Sequence, residues 1–211
     1  MDASSSARTP LHLAASAEEV LLLLSSKTCR VDVDARCFDG QTPLHIACER
    51  GAVDITRLLI EHGADVCAVD YAGWSGLSRA CLHGHLEVVR LLLASGGASL
   101  AVDEYGQCAM HKALVKDRRD AALLLLEHSG DGALLRVKDI HGKRPLEYAR
   151  MAGYEETVCV LRRHARWLQR RGLLLLARSI ERGRDVADEG PSPGSLLIVL
   201  TQMTRYIASY L

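Results

Sequence analysis

The chain has 211 residues, 48% of them hydrophobic, and its 26 basic and 26 acidic side chains give a formal net charge of zero. This balance excludes wholesale disorder and argues against a generic nucleic-acid binder, which needs an excess of basic residues. With only one Phe and two Trp, the core must be built from Leu, Ala and Val.

The sequence repeats itself with a period of 33 residues. We number the copies one to five; the fifth follows the fourth after 36 residues, and the three extra residues fall around 129–133. The copies open with Thr9-Pro10-Leu11-His12, Thr42-Pro43-Leu44-His45, Ser75-Gly76-Leu77-Ser78, Cys108-Ala109-Met110-His111 and Arg144-Pro145-Leu146-Glu147. In copies two to five a second apolar segment follows, at 53–60, 86–93, 121–126 and 157–161. The pattern predicts two helices per copy in a stacked repeat protein.

Local signals predict where these helices begin and end. Thr42 and Pro43 are typical of a helix start, because a hydroxyl accepts a free backbone N–H and proline loses no helical hydrogen bond there. Gly51 predicts the end of the first helix, where a left-handed residue is needed. The turn Asp70-Tyr71-Ala72-Gly73 and its equivalents at 103–106 and 139–142 predict fingers along one edge of the stack.

Copies three and four contain departures from the pattern that bear on their helix ends. Gly76 stands near a helix start in copy three and costs roughly 0.5–1 kcal/mol relative to alanine, so we expect either that this copy is the least stable or that its helix start is flexible. In copy four Asp117 stands where a glycine is expected.

The second copy carries the clearest family resemblance. It reads Thr42-Pro43-Leu44-His45-Ile46-Ala47-Cys48, then Gly51, then Leu58 to Val66, and it resembles the ankyrin repeat closely. The similarity spans roughly residues 7–165. It implies an all-α fold, an α-solenoid of about five helix-turn-helix repeats with short β-turn fingers in residues 1–165, with repeats starting near 4, 37, 70, 103 and 139, followed by a C-terminal helical extension.

The resemblance also implies where partners bind, namely at the finger tips and at the ends of the first helices. The predicted partner-binding residues are Phe38, Asp39, Gln41, Glu49, Arg50, Tyr71, Trp74, Leu82, His83, Glu104, Tyr105, Gln107, Lys116, Ile140, His141 and Lys143. Aromatic side chains on adjacent fingers favour an interface centre. The alternative is that Trp74 and the tyrosines pack between neighbouring fingers for stability.

The histidines do not indicate catalysis. His12, His45 and His111 share one repeat position, which in ankyrin-like repeats hydrogen-bonds backbone between neighbouring copies. The pair His83 and His85 resembles part of a metal site, but no nearby Cys or carboxylate has ligand spacing. Nucleotide-binding and nucleophile motifs are also absent from the sequence. We predict a protein that is not an enzyme, with no cofactor, no metal and no small-molecule substrate.

The seven cysteines include no CxxC pair, and Cys48 and Cys81 hold the same repeat position, typical of small core thiols. With the short polar start at 1–8, they indicate a reducing, intracellular setting without disulfides. We expect a cytoplasmic monomer, with a nuclear location as the alternative. Apolar runs are far too short for a membrane span.

The chain changes character after Leu161. Eight arginines fall within 162–184 against one glutamate. We predict a basic capping helix at 166–182, with nuclear targeting or anion binding as the alternative, and then a flexible linker at 183–194. Residues 195–211 predict an amphipathic helix that folds back on the repeats, binds a partner groove or touches a membrane surface.

These observations favour a non-catalytic adaptor that binds a protein partner through the concave face and finger tips. The alternative is a substrate-recognition subunit of a ubiquitin ligase, because residues 172–211 are loosely similar to a suppressor-of-cytokine-signalling box. The cysteine expected in the first helix of that box is absent from Leu173 to Ala177.

Overall fold

The computed structural model describes residues 8–25, 31–97, 101–129 and 133–184. Within these ranges the extended structure consists of two isolated bridges, Val69 with Ser75 and Val102 with Cys108. The rest is helical or turn. The helices are α1 (Pro10–Leu13), α2 (Ala17–Ser25), α3 (Pro43–Arg50), α4 (Val53–Glu61), α5 (Gly76–His83), α6 (Leu86–Ala94), α7 (Ala109–Val115), α8 (Arg119–Ser129), α9 (Pro145–Met151) and α10 (Glu155–Arg184), with a 3-10 turn at Ala133–Leu135.

The helices stack in two layers. The first helices of successive copies pack in series, α1 on α3, α3 on α5, α5 on α7 and α7 on α9. The second helices do the same from α2 to α8. Between the layers lies a continuous core of leucine, alanine and cysteine, in which Leu44, Leu59, Leu77, Leu92 and Leu125 are fully buried. The predicted stack of helix pairs is confirmed.

A histidine side chain bridges one copy to the next at three junctions. His45 Nδ1 accepts the backbone N–H of Thr42 at 3.1 Å, so its Nε2 carries the proton and donates to the Trp74 carbonyl at 3.0 Å. The Thr42 hydroxyl lies 2.9 Å from Nδ1 rather than accepting a helical N–H. The same arrangement joins His12 to the Gln41 carbonyl at 2.9 Å and His111 to that of Lys143 at 3.3 Å. The predicted backbone role of these histidines is confirmed.

Copy three lacks this bridge. Ser78 occupies the histidine position, and its hydroxyl stays within the copy, 3.2 Å from that of Ser75. The structure also explains the glycine that precedes it: a Cβ on Gly76 would lie 3.0 Å from Cys48 Sγ, so glycine lets the two first helices approach closely. That copy three is the least stable stays a prediction.

The fingers form a row held together by backbone hydrogen bonds. Tyr71 N–H donates to the Asp39 carbonyl at 3.2 Å, and the next two fingers repeat the contact at 3.1 and 3.0 Å. Gly40, with a φ of +73°, lies directly under the Tyr71 ring, where a Cβ would come within 2.6 Å of the ring. Each finger therefore fixes the backbone of the next.

Helix α10 continues past the last repeat without a break. Val158 and Leu161 at its start are buried in the core. The predicted capping helix at 166–182 is therefore not a separate element but part of α10. The chain divides into two units, residues 1–169 and 170–211, and whether residues 166–182 cap the repeats stays a prediction.

The predictions for the chain beyond α10 are largely untested. Residues 183 and 184 end α10 instead of opening the predicted linker. The remainder of that linker and the predicted amphipathic helix at 195–211 lie outside the described residues. So does most of the segment on which the ubiquitin-ligase alternative depends. In the described part of the chain, the search for helices both long and apolar enough to cross a bilayer finds none.

The bridge at His45 predicts an acid-sensitive fold. Burial, and then the positive charge of Arg79, lowers the pKa of His45 to about 4, whereas the unfolded chain has the ordinary value near 6.5. Between these values only the unfolded state binds the proton, so stability is full above pH 6.5 and falls as the pH falls towards 4. We expect a loss of about 2 kcal/mol from this group between pH 7 and pH 5.

Urea unfolding of the wild type and of His45→Gln at both pH values measures this contribution. The variant should be less stable at pH 7 but should lose less stability on acidification. Equal losses in the two proteins would contradict the assignment.

Gly51 is expected to be intolerant of a side chain. Its φ is +72°, and a Cβ would lie 2.5 Å from His85 Nδ1. The matched control is Gly63, whose φ is +87° but which has no atom near the Cβ position. Gly63→Ala should cost about 1 kcal/mol through its backbone alone, and Gly51→Ala at least about 1 kcal/mol more through the clash. Equal costs, measured by thermal unfolding, would rule out the clash.

Candidate functional site

Three buried aspartates organise the fingers. Asp70 Oδ1 accepts the backbone N–H groups of Ala72 at 3.0 Å and Trp74 at 2.8 Å. Asp103 and Asp139 make the same pair of bonds, at 2.8 to 2.9 Å, to the residues two and four positions later. One carboxylate oxygen thus closes each turn, as the sequence predicted.

The second oxygen of each aspartate reaches a side chain nine residues later, on the first helix of the same copy. Its partners are Arg79, Lys112 and Tyr148, each at 2.5 Å. These three residues were not among those predicted from the sequence. Their signal was a polar side chain at a fixed distance of nine residues after each finger aspartate. Copy two shows the apolar version of the pair, with Cys37 and Ile46 both buried.

Trp74 lies between two of these cations. Lys112 Nζ is 3.8 Å from the centre of its ring system and the guanidinium carbon of Arg79 is 5.7 Å away. Both distances are within the range of cation–π attraction. Arg79 also contacts Glu49 Oε2 at 2.6 Å, so it joins copy three to copy two.

The same network continues into copies four and five. Lys112 Nζ donates to Gln107 Oε1 at 2.8 Å, and Gln107 Nε2 donates to the Tyr148 hydroxyl at 3.0 Å. Lys143 Nζ lies 5.8 Å from the Tyr148 ring. We call this network the polar floor; it comprises Glu49, Asp70, Trp74, Arg79, Asp103, Gln107, Lys112, Asp139, Lys143 and Tyr148.

The charge state of the Asp139–Tyr148 pair follows from its own contacts. Burial acts to raise the pKa of Asp139, but the Tyr148 hydroxyl and the N–H groups of Lys143 and His141 outweigh it and hold that pKa below its usual value. The same hydrogen bond raises the pKa of Tyr148. At neutral pH the carboxylate is therefore ionised and the phenol protonated, as suits a structural pair.

Beside the floor, large apolar side chains project from the fingers. Tyr71 is 73% exposed, and the others are 78% (Phe38), 49% (Tyr105) and 62% (Ile140) exposed. We call these four the finger-tip row. The predicted aromatic centre is thus divided, because Trp74 is half-buried in the polar floor while the other three aromatics point outward.

The remaining predicted residues lie around these two features. Asp39, Glu104 and His141 are exposed on the fingers, and Leu82 and Gln41 are half-buried. Arg50, His83 and Lys116 are exposed at the ends of the first helices.

A small cleft opens at the copy-two end of the floor. Its volume is about 200 Å³, and its lining consists of Arg8, Gln41, Ile46, Glu49, Arg50 and Arg79. Three of these six side chains carry guanidinium groups, and the single carboxylate is already paired with Arg79.

The histidine pair that resembled part of a metal site has a structural contact. The rings of His83 and His85 stack at 5.8 Å, and His85 Nε2 lies 3.0 Å from the Glu49 carbonyl oxygen. Within the described ranges, His, Cys, Asp and Glu form no group of three or more able to hold a metal ion.

Comparison with known families identifies the repeats independently. The sequence model of the family described as ankyrin repeats (three copies) matches residues 1–70 and again residues 69–134. These matches together cover more than half of the chain. A search of curated proteins found none that matches it.

The buried pair in copy four gives a prediction for stability. Lys112→Met leaves Asp103 buried and uncompensated, so we expect a loss of about 3 kcal/mol. In Asp103→Asn/Lys112→Met the charge is gone, while the amide oxygen can still close the turn, so the double variant should be more stable than Lys112→Met alone. A double-mutant cycle by urea unfolding tests the coupling. Strictly additive losses would show that the two side chains act independently.

Proposed function

Because the chain belongs to the ankyrin-repeat family, whose repeats are generally protein–protein interaction modules, we propose that it is a non-catalytic adaptor. It binds a segment of another protein across copies two to four. The observation that carries the proposal is the finger-tip row, which exposes large apolar side chains beside a polar floor whose buried aspartates already have side-chain partners.

The finger-tip row has the character of an interface. Exposed apolar side chains that lie together mark interaction sites, whereas isolated ones are ordinary on any surface. Tyr71 and Phe38 lie on neighbouring fingers, and aromatic residues supply large contact areas at small entropic cost. Their exposure supports a role in binding, and the Tyr71 ring in addition packs on Gly40 of the neighbouring finger.

The polar floor supports the row without competing for the partner. Buried Asp70 and Asp103 are neutralised by Arg79 and Lys112, so a partner that covers the floor strands no unpaired carboxylate. The backbone bonds between fingers hold the row in place before binding, which lowers the entropic cost of association. Because Trp74 belongs to the polar floor, it contributes to binding by holding the fingers in position as well as by contacting the partner.

The cysteines support an adaptor that works in a reducing compartment. Those in the described residues are free, and Cys48, Cys81 and Cys108 are buried. Burial raises the pKa of all three thiols, that of Cys48 to about 12, which keeps them protonated and unreactive. We place the adaptor in the cytoplasm, as a monomer.

Two single substitutions test the finger-tip row. Tyr71→Ala and Phe38→Ala should each weaken partner binding by about 2 kcal/mol if they are hot spots, with unfolding curves close to the wild type. The partner is first identified by affinity capture and mass spectrometry, and its affinity is then measured with purified proteins by titration calorimetry.

The control is Leu22→Ala on α2, which removes an equally exposed apolar side chain from an outer-layer helix. It should leave the affinity unchanged. Unchanged affinity in both finger variants, with the fold intact, would reject the row as the binding site.

A further inference from the structure

The first helices of copies two, three and four end in a basic residue. Arg50 is the last residue of α3, His83 is the last of α5, and Lys116 follows the last residue of α7. All three are exposed. We call them the basic row. Ion pairs between described residues involve none of the three.

The row leads into the small cleft beside α3. Arg50 Nη1 donates to the Ala14 carbonyl at 3.2 Å, a contact that leaves its charge uncompensated. Arg8 lines the same cleft. Glu49, the acidic residue of the lining, is engaged by Arg79. Arg79 is itself paired with both Glu49 and Asp70, so the positive charge in the cleft that the described residues do not neutralise comes from Arg8 and Arg50.

The size of the cleft favours one side chain over a free small molecule. Its volume of about 200 Å³ is below the roughly 300–1,000 Å³ of ligand pockets. Its cations are arginines, whose planar donors match a carboxylate. Ile46 provides an apolar surface for the methylene groups of a glutamate.

Apolar side chains accompany the basic row. Leu82 and Val115 precede His83 and Lys116 in the chain, and Met151 holds the same repeat position in copy five. Val115 and Met151 are exposed. A segment that contacts both the finger-tip row and the basic row therefore needs apolar and acidic residues together.

We propose that the segment bound by this protein is an acidic peptide, with one carboxylate in the cleft lined by Arg8, Arg50 and Arg79 and others along His83 and Lys116. The inference rests on the proposed function and specifies the chemistry of its partner. Charge complementarity carries it: the finger-tip row takes the apolar side chains and the basic row takes the carboxylates.

The test uses the full chain and a defined probe. The purified protein is panned against a display library of random 12-residue peptides, and the selected peptides are synthesised and their affinities measured by fluorescence anisotropy at low and high salt. We expect an excess of Asp and Glu in the selected peptides and weaker binding at high salt.

Charge reversal then locates the contact. Arg50→Glu and Lys116→Glu should each weaken binding of the selected peptides at least tenfold. Arg57→Glu, which makes the same change at an exposed position on α4, should not. A basic residue at a helix end also favours the helix dipole, so unfolding is measured on each variant, and Arg50→Gln and Lys116→Gln replace any variant that does not fold.

The remaining outcomes separate the two proposals. Selected peptides without an acidic excess, or equal losses in Arg57→Glu, overturn the acidic peptide but leave the adaptor intact if Tyr71→Ala weakens binding. No enrichment, or peptides that bind Tyr71→Ala and Phe38→Ala as well as the wild type, would overturn the proposed function itself. Tighter binding of a 12-nucleotide RNA, lost in the same charge reversals, would overturn the acidic peptide in favour of nucleic acid.

Discussion

The structure depends on a neutral imidazole that works with both of its nitrogens. In His45 one nitrogen accepts the N–H that opens its own helix and the other donates to the finger of the next copy. A charged ring could not make the first of these bonds. Burial and the neighbouring arginine lower the pKa of His45, so the ring stays unprotonated and the bond is kept. The carbonyls held in this way belong to Gln41, Trp74 and Lys143, all predicted binding residues. The bond that stacks the repeats therefore also sets the backbone of the candidate site.

The junction without a histidine is secured by other means. Between copies three and four, Lys112 of copy four reaches the indole of Trp74 in copy three. Buried ion pairs such as Lys112 with Asp103 contribute little net stability, but they are costly to break and so restrict how neighbouring parts can be arranged. The pair of positions nine residues apart is apolar in copy two, with Cys37 and Ile46, and polar in copies three to five.

The sequence predicted the period, the paired helices and the turn aspartates, because each depends on local chemistry that repeats in register. The family resemblance implied the bridging histidines, whose contacts reach the next copy. It did not predict the contacts nine residues apart, since an arginine, a lysine and a tyrosine at one position do not look alike until their shared partner is seen. The sequence showed that Asp117 stands where a glycine is expected. It did not show that Asp117, with a φ of +51°, accepts a hydrogen bond of 2.6 Å from the Thr157 hydroxyl, forty residues away. The sequence predicted a separate capping helix within what is α10, because the chain becomes rich in arginine there. A change in charge does not by itself end a helix.

The pairing of each finger aspartate with the ninth residue after it has a consequence for how such a chain can diverge. Copy two holds cysteine and isoleucine at these positions, so the fold accepts either an apolar pair or a polar one. A chain that acquires the aspartate, the arginine or the lysine before its partner passes through a form with a buried charge and no counterion. Among descendants of this sequence the two positions should therefore change together. The paired changes in one repeat would then show the history of that repeat separately from its neighbours.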